Sequence, residues 1–314
     1  MTTRPEPSSP ADRQLVPIKN IFGLKGWGRL TLVTRFLERG PAVPAEDPHY
    51  LFRPDLTLPV LQALERPNEP IFLMGPTGAG KTTLIEQVCA RLNRPVTRIN
   101  LDGDLTRADF IGQWVLQEDR TMRFSYGPLP RALREGHALI VDEIDAGSAP
   151  VLMLLQAPLE GRALTILETG EVIAPHPDFR FCATANTSGE GDESGMYHGT
   201  QPQNYALFDR FTTFLKVGYP LPEEESAILG RALAGQLEDQ DIARLIQTAG
   251  LVRRTHEAGD CFAVMSTRTV LNVARKLADL ADWRAAYDLA FLNRLNKDDL
   301  AACAELIQKV WDKI

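Results

Sequence analysis

The chain has 314 residues, of which 44% are hydrophobic and 24% are charged, as expected of a water-soluble globular protein with one or two domains. Its 34 basic and 41 acidic residues give a net charge of −7, so no overall positive charge favours nucleic acid as the partner. No apolar run approaches the roughly 20 residues of a membrane span, and the polar N-terminus does not resemble a signal peptide. We therefore expect a cytoplasmic protein with no membrane association. The four separated cysteines match neither a metal site nor a disulfide framework, which predicts free thiols.

The first 49 residues are predicted to form a tail and an arm. Residues 1 to about 15 carry three prolines and few apolar side chains, which favours a flexible tail. Residues 16 to 49 mix apolar side chains with Gly and Pro, which indicates a small docking segment that ends in a linker around Pro41 to Pro48.

Residues 50 to 218 are predicted to form an α/β domain. Short apolar runs typical of buried strands alternate with stretches of helical spacing, such as Thr82 to Leu92. The strand candidates are Pro70 to Met74, Val96 to Asn100, Ala138 to Val141, Phe179 to Ala185 and Phe214 to Val217. This alternation predicts a parallel sheet covered by helices on both faces.

Residues 219 to 314 are predicted to form a helical domain. Pro222 to Leu233 begins with Pro and three acids, which suit the positive end of a helix dipole. Asp241 to Arg254 places its apolar residues on one face, and the segments that begin at Ser266, Trp283 and Asp298 also have helical spacing.

A phosphate-binding loop is predicted between the first apolar strand of the α/β domain and the helix that follows. The sequence GPTGAGKT has glycines where the backbone must fold around phosphate, a lysine for the β- and γ-phosphates, and a hydroxyl for Mg²⁺. We therefore expect ATP with Mg²⁺. The predicted nucleotide contacts are Gly75, Pro76, Thr77, Gly78, Ala79, Gly80, Lys81, Thr82 and Thr83.

Two acids end the apolar run ALIVDEID. Asp142 would hold Mg²⁺ directly or through water, in addition to the Thr82 hydroxyl, and Glu143 would activate the water that attacks the γ-phosphate. Such a pair can also be a solvated acidic turn after a core strand. The preceding phosphate loop favours the hydrolytic interpretation.

Three more side chains are candidates for the same site. Asn186 follows a strand and could orient the attacking water, although Asn at a strand end is often only a turn former. Arg210 and Arg268 could stabilise transition-state charge, and Ser266 is a plausible N-cap that would put Arg268 in a first helical turn. The alternative for each arginine is a solvated surface position.

Together these motifs resemble the AAA+ superfamily and, within it, the MoxR branch that contains the CbbQ, NirQ, NorQ and CobS families. The resemblance runs from about Val16 into the helical domain. The local likeness is closest to the cobaltochelatase CobS family, at residues 22–24 (FGL), 47–52 (DPHYLF), 85–95 (IEQVCARLNRP) and 183–201 (ATANTSGEGDESGMYHGTQ).

The resemblance implies an AAA+ core with a five-stranded parallel sheet, followed by an α-helical lid domain. It also implies two inserted hairpins, one in the second helix (residues 110–127) and one before sensor 1 (residues 164–175), which could otherwise be ordinary surface hairpins. The implied roles are Walker A for Lys81 and Thr82, Walker B for Asp142 and Glu143, sensor 1 for Asn186, a trans-acting arginine finger for Arg210 and sensor 2 for Arg268.

By the same resemblance we expect a homo-oligomeric ring, a hexamer, that remodels a protein complex with a von Willebrand factor A domain partner. The sequence does not decide whether the client is a chelatase substrate or an enzyme that is to be activated. One alternative is a ring acting on nucleic acid or in defence, supported only by Arg120, Arg123, Arg131 and Arg134. Another is a scaffold that binds ATP without hydrolysing it, against which the intact Glu143 argues.

Overall fold

The computed structural model describes residues 12–186 and 205–312. The chain divides into two compact units. The first unit comprises Met1–Asp47, Phe52–Gly75 and Lys81–Val217, and the second comprises Pro48–Leu51, Pro76–Gly80 and Gly218–Ile314.

The strands and helices of the described residues are numbered in chain order. The strands are β1 (Arg13–Pro17), β2 (Leu32–Phe36), β3 (Ile71–Met74), β4 (Val96–Asn100), β5 (Gly112–Leu116), β6 (Met122–Tyr126), β7 (Ala138–Asp142), β8 (Leu164–Ile166), β9 (Glu171–Ile173), β10 (Arg180–Ala185) and β11 (Thr213–Lys216). The helices are α1 (Ile18–Phe22), α2 (Pro54–Glu65), α3 (Lys81–Arg91), α4 (Arg107–Ile111), α5 (Pro128–Glu135), α6 (Ala149–Met153), α7 (Gln156–Leu159), α8 (Tyr205–Phe208), α9 (Pro222–Leu233), α10 (Asp239–Glu257), α11 (Thr267–Leu280), α12 (Trp283–Ala290) and α13 (Lys297–Trp311).

The N-terminal arm is an antiparallel pair of strands, β1 and β2, that packs within the first unit. Thr34 donates from both its backbone N and its Oγ1 to the Glu65 carboxylate at 2.8 Å, and Arg13 pairs with Asp178 at 2.7 Å. The prediction of a tail up to about residue 15 is wrong for its last three residues. The strand begins at Arg13 because its backbone pairs with Phe36, a contact between segments far apart in sequence. Residues 1–11 of the expected tail lie outside the described part.

The centre of the first unit is a five-stranded sheet in the order β11-β3-β10-β7-β4, with every neighbouring pair parallel. All residues of β7 and β10 are buried, as expected of inner strands that are covered on both faces. The predicted α/β core with a five-stranded parallel sheet is confirmed. Because the strands are parallel, their carboxyl ends lie at one edge.

Both predicted hairpins are present, as β5–β6 and β8–β9. They are joined to each other, since the Tyr126 hydroxyl donates to Glu171 at 2.5 Å and Arg134 also pairs with Glu171. Arg107 pairs with Glu168 in the β8–β9 turn at 2.9 Å. Two separate insertions in the sequence thus form one connected surface feature.

The second unit has a helical core built by α9 to α13, and the predicted helical C-terminal region is confirmed. Arg253 pairs with Glu225, whose side chain is 1% exposed, at 2.7 Å. The Thr267 hydroxyl also donates to Glu225 at 2.9 Å, and Arg253 Nε donates to the Met265 carbonyl at 2.9 Å. A satisfied ion pair therefore lies inside this helical core.

The four cysteines agree with the expectation from composition. Cys89, Cys182, Cys261 and Cys303 are free and buried. Among the helices of residues 12–186 and 205–312, none combines the length and apolar character that a membrane span requires.

Candidate functional site

The glycine-rich loop connects β3 to α3. Gly75 has a φ of 154°, and a Cβ there would collide with the Val217 carbonyl oxygen, so only glycine fits. Its N–H donates to the Ala185 carbonyl at 3.2 Å, which fastens the start of the loop to β10. The loop thus begins at the carboxyl edge of the sheet, where β3 lies between β10 and the edge strand β11.

Lys81 is held at the end of this loop. Only 8% of the residue is exposed, and its Nζ donates to the Gly75 carbonyl at 2.6 Å and to Asn186 Oδ1 at 2.9 Å. The structure therefore brings together two side chains that the sequence separates by more than a hundred positions. Asn186 is itself held through its backbone N–H, which donates to Asp145 Oδ2 at 3.1 Å.

Asp142, at the end of β7, has three side-chain partners among the described residues. Thr82 Oγ1 and Thr184 Oγ1 donate to its Oδ1 at 2.6 and 2.5 Å, and Arg98 Nη2 lies 2.5 Å from its Oδ2. The Asp142 side chain is 5% exposed, so these bonds replace the water that a buried carboxylate loses. The sequence predicted that Asp142 and Thr82 serve the same Mg²⁺, and it gave no indication of the contacts with Thr184 and Arg98.

Glu143 follows directly but has the opposite environment. Its backbone is left-handed, with φ 53° and ψ 45°, a conformation that costs about 1 kcal/mol for a residue other than glycine. The turn leads from β7 into a short 3-10 helix, Ile144–Ala146, and leaves Glu143 exposed. Its N–H lies 3.3 Å from Thr184 Oγ1. Within the described residues, its carboxylate makes no hydrogen bond or ion pair.

The residues at this edge suit Mg²⁺. A threonine hydroxyl and a carboxylate are oxygen donors, which this ion prefers, and Mg²⁺ usually takes only one or two protein ligands and keeps several waters. The described residues contain no cluster of three or more His, Cys, Asp or Glu that could hold a metal.

Arg210 lies just after α8 and belongs to a different cluster. Its Nε pairs with Glu160 at 2.7 Å, and it also donates to the Ala206 carbonyl. Arg162 pairs with the same Glu160 at 3.1 Å. In the described parts of the chain, no hydrogen bond or ion pair joins Arg210 to Lys81 or Asp142.

Arg268 is exposed in the first turn of α11, where the predicted N-cap at Ser266 accepts a bond from the Thr269 N–H at 3.2 Å. The middle of the loop, Pro76–Gly80, groups with this second unit. A Cβ built at Gly78 would lie 2.6 Å from the Ser266 Cβ and 3.7 Å from the Arg268 Cβ. Tyr219 donates to the Thr77 carbonyl at 3.0 Å.

Three of the arginines considered for nucleic-acid binding line one open cavity of about 440 Å³ beside the β5–β6 hairpin: Arg123, Arg131 and Arg134. Arg134 already pairs with Glu171 and lies 4.2 Å from the centroid of the Tyr126 ring. Glu135 also lines the cavity and partly neutralises the positive charge of the three arginines.

The longest string that resembles the CobS family, residues 183–201, lies outside the described residues beyond Asn186.

Comparison with known proteins identifies relatives for most of the chain. The model of an AAA domain (dynein-related subfamily) matches residues 70–211. The aerobic cobaltochelatase subunit CobS of a Sinorhizobium species is 35% identical over 303 residues, which cover 94% of this chain and 90% of that protein. The denitrification regulatory protein NirQ of Pseudomonas aeruginosa is 30% identical over 253 residues, 80% of this chain and 92% of that protein. Protein NorQ of Paracoccus denitrificans is 31% identical over 254 residues, 80% and 88% of the two chains.

A similar fold occurs among solved structures. A RuvB mutant of Thermotoga maritima matches with a TM-score of 0.51 and 17% identity, over 84% of this chain and 73% of that chain. At this identity the match shows a shared fold and nothing about the reaction.

Proposed function

Because the chain belongs to the MoxR-type AAA+ ATPases, the family of CobS, NirQ and NorQ, we propose that it hydrolyses ATP and uses the cycle to remodel a protein partner. The observation that carries the proposal is the convergence of Lys81, Thr82, Asp142 and Asn186 through direct hydrogen bonds at one edge of the sheet. This set supplies a cation, two oxygen donors and an amide where a triphosphate and its metal need them.

Each side chain has a role in this proposal. The loop N–H groups and Lys81 bind the β- and γ-phosphates, and Lys81 leaves the Gly75 carbonyl and Asn186 to do so. The Thr82 hydroxyl and the Asp142 carboxylate would hold Mg²⁺, which when bound neutralises charge on the phosphate oxygens. Glu143 accepts the proton of the attacking water, for which its exposed carboxylate is available. Asn186 orients that water.

We also propose that the site is completed by a second copy of the chain. Arg210 makes its bonds to Glu160 and Ala206 and none to the phosphate-loop cluster in the described residues, which suits a guanidinium that serves a neighbouring subunit. Arginine is suited to this role because it is always charged and can contact two phosphate oxygens. Arg268 would act as the sensor 2 residue of the helical unit. A cytoplasmic hexamer with a von Willebrand factor A domain partner is part of the same proposal.

The client is proposed only as a protein. One relative is named as a cobaltochelatase subunit and another as a denitrification regulatory protein, so their names do not decide between metal insertion and enzyme activation. For the nucleic-acid alternative, the supporting observation is the cavity lined by Arg123, Arg131 and Arg134.

The direct test of the proposed function is ATP turnover by the Glu143→Gln variant. We expect nucleotide binding to persist while phosphate release falls by about a hundredfold or more, because the proton acceptor is lost and the phosphate contacts remain. Glu305→Gln, an exposed acid on α13, is the matched control and should keep full activity. No turnover by the parent chain would favour the scaffold without hydrolysis, and equal turnover by the parent chain and the Glu143→Gln variant would contradict the role of Glu143.

The client is tested with the same variant. A ring that binds ATP without releasing it should retain its partner. Affinity capture with the Glu143→Gln variant, followed by identification of the bound proteins, therefore shows which class of protein the partner belongs to. A von Willebrand factor A domain protein that is captured only in the presence of ATP is the expected result. Capture that is independent of ATP would contradict a nucleotide-driven partner.

A further inference from the structure

Arg98, on β4, lies between two carboxylates. Its Nη2 is 2.5 Å from Asp142 Oδ2, and its Nη1 is 3.3 Å from Oε1 of Glu86 on α3. The parallel register of β4 and β7, with Asn100 beside Asp142, places Arg98 close enough for this contact. One guanidinium therefore contacts an acid of the proposed metal site and a second acid next to it.

The three side chains differ in exposure. Asp142 is 5% exposed, Glu86 is 27% exposed and Arg98 is 49% exposed. A buried carboxylate is costly unless it is hydrogen-bonded and paired. Among the described residues, Arg98 is the cation that forms an ion pair with Asp142, while Thr82 and Thr184 supply the hydrogen bonds.

We propose that Arg98 is a resident counter-cation of Asp142, which it releases to Mg²⁺ when nucleotide binds. The proposal rests on the proposed function, since it assumes that Asp142 takes part in holding Mg²⁺. Arg98 keeps the Asp142 carboxylate compensated and oriented before the metal arrives. Because two cations at one carboxylate repel each other, Arg98 would move away from Asp142 once that carboxylate served Mg²⁺.

Glu86 gives Arg98 a second partner. Its carboxylate is already within ion-pair distance of Nη1, so Arg98 can leave Asp142 without losing every anionic contact. Half of the Arg98 side chain is in water, which also lowers the cost of the movement. Arg98 is thus a positioning residue that sets the Mg²⁺ concentration at which the site fills.

The proposal makes two substitutions act in opposite directions. Arg98→Ala removes the competing cation, so less Mg²⁺ should be needed to tighten nucleotide binding. Glu86→Gln removes the alternative partner and leaves Arg98 on Asp142, so more Mg²⁺ should be needed. Damage to the site would instead weaken Mg²⁺ binding in both variants.

The experiment measures the affinity of a fluorescent ADP analogue in EDTA and across a Mg²⁺ titration. We expect the Mg²⁺ midpoint to fall about fivefold in Arg98→Ala and to rise about twofold in Glu86→Gln, the sizes that partly exposed ion pairs give. Affinity in EDTA should be unchanged. Arg66→Ala, which removes an exposed ion pair with Glu69, should leave the midpoint unchanged.

A Mg²⁺ midpoint that is unchanged or raised in a folded Arg98→Ala variant overturns the proposal. Arg98→Gln, which keeps a polar side chain without the charge, replaces Arg98→Ala if that variant unfolds, and the same fall is expected. If the parent chain binds no nucleotide, the proposed function fails and Mn²⁺ alone becomes the probe. In a Mn²⁺ titration followed by electron paramagnetic resonance, tighter binding by the Arg98 variant than by the parent chain supports the role of Arg98, and equal or weaker binding overturns it.

Discussion

Thr184 Oγ1 donates to Asp142 Oδ1 across the neighbouring strands β10 and β7, at 2.5 Å, and the same hydroxyl lies 3.3 Å from the Glu143 N–H. A single buried hydroxyl therefore contacts both acids of the proposed hydrolytic pair. It fixes the Asp142 carboxylate and the left-handed turn at Glu143 at the same time.

Removing the Thr184 hydroxyl should impair turnover more than nucleotide affinity. Thr184→Val keeps the shape of the side chain but leaves Asp142 and the Glu143 N–H each without one partner, at a cost of about 1 to 2 kcal/mol in unfolding free energy. We expect kcat for ATP to fall and KM to change little, as measured by steady-state phosphate release. Thr184→Ser restores the hydroxyl and should recover most of kcat; a Ser variant as slow as the Val variant would contradict a role for the hydrogen bond.

Asn186→Ala tests the contact with Lys81. We expect ATP binding to persist, because the Gly75 carbonyl still holds the Lys81 ammonium, and kcat to fall about a hundredfold, because the water loses a positioned amide. Binding is measured by titration with a nucleotide analogue and turnover by phosphate release. A loss confined to binding would assign Asn186 to the support of Lys81 alone.

Arg210→Ala should reduce turnover by about a thousandfold if a neighbouring subunit supplies this guanidinium. The sharper measurement mixes Arg210→Ala chains with Glu143→Gln chains. Each variant alone is inactive, but a mixed ring pairs an intact Glu143 of one chain with an intact Arg210 of the next, so activity should return. Arg162→Ala, which removes the other partner of Glu160, is the matched control and should stay active. Mixtures that remain inactive despite assembly would contradict the shared site.

Glu225→Ala should destabilise the helical unit by about 3 to 5 kcal/mol, because it leaves the Arg253 guanidinium without its carboxylate inside the protein. Urea unfolding followed by circular dichroism measures the loss. Glu223→Ala, an exposed acid in the same helical turn, is the control. The double change Glu225→Leu with Arg253→Met should recover much of the stability, and no recovery would argue against a purely electrostatic penalty.

Oligonucleotide binding decides between the protein and nucleic-acid alternatives. We do not expect oligonucleotides to bind with the steep salt dependence that phosphate contacts give. Arg134 is paired with Glu171, and Glu135 offsets part of the positive charge of the other arginines that line the cavity. Fluorescence anisotropy across a salt series is the measurement. Binding that is lost in Arg123→Glu with Arg131→Glu would instead support a nucleic-acid partner.

The sequence was sufficient to predict the sheet and most of the proposed phosphate site. Runs such as Ala138 to Val141 are apolar throughout because inner parallel strands are buried on both faces, and their carboxyl ends must share an edge. The meeting of Thr82 with Asp142 follows from that geometry.

The missed residues depend on strand pairing. Thr184 and Arg98 contact Asp142 because of the registers in which β10 and β4 pair with β7. A local sequence pattern does not predict the register of a strand pair. The strand that begins at Arg13 is likewise stabilised by its pairing with Phe36 and by the contact with Asp178. The polar, proline-rich sequence of this segment does not by itself predict a strand. Local propensity predicts elements, and contacts between distant segments decide where they end.

The left-handed turn at Glu143 gives two adjacent acids different roles. Asp142 is part of the architecture, since its carboxylate joins β4, β10 and α3 through Arg98, Thr184 and Thr82. The Glu143 carboxylate makes no such contacts within the described residues. Chemistry at position 143 can therefore be altered while the frame around it stays intact, whereas an amide at position 142 would loosen the frame itself.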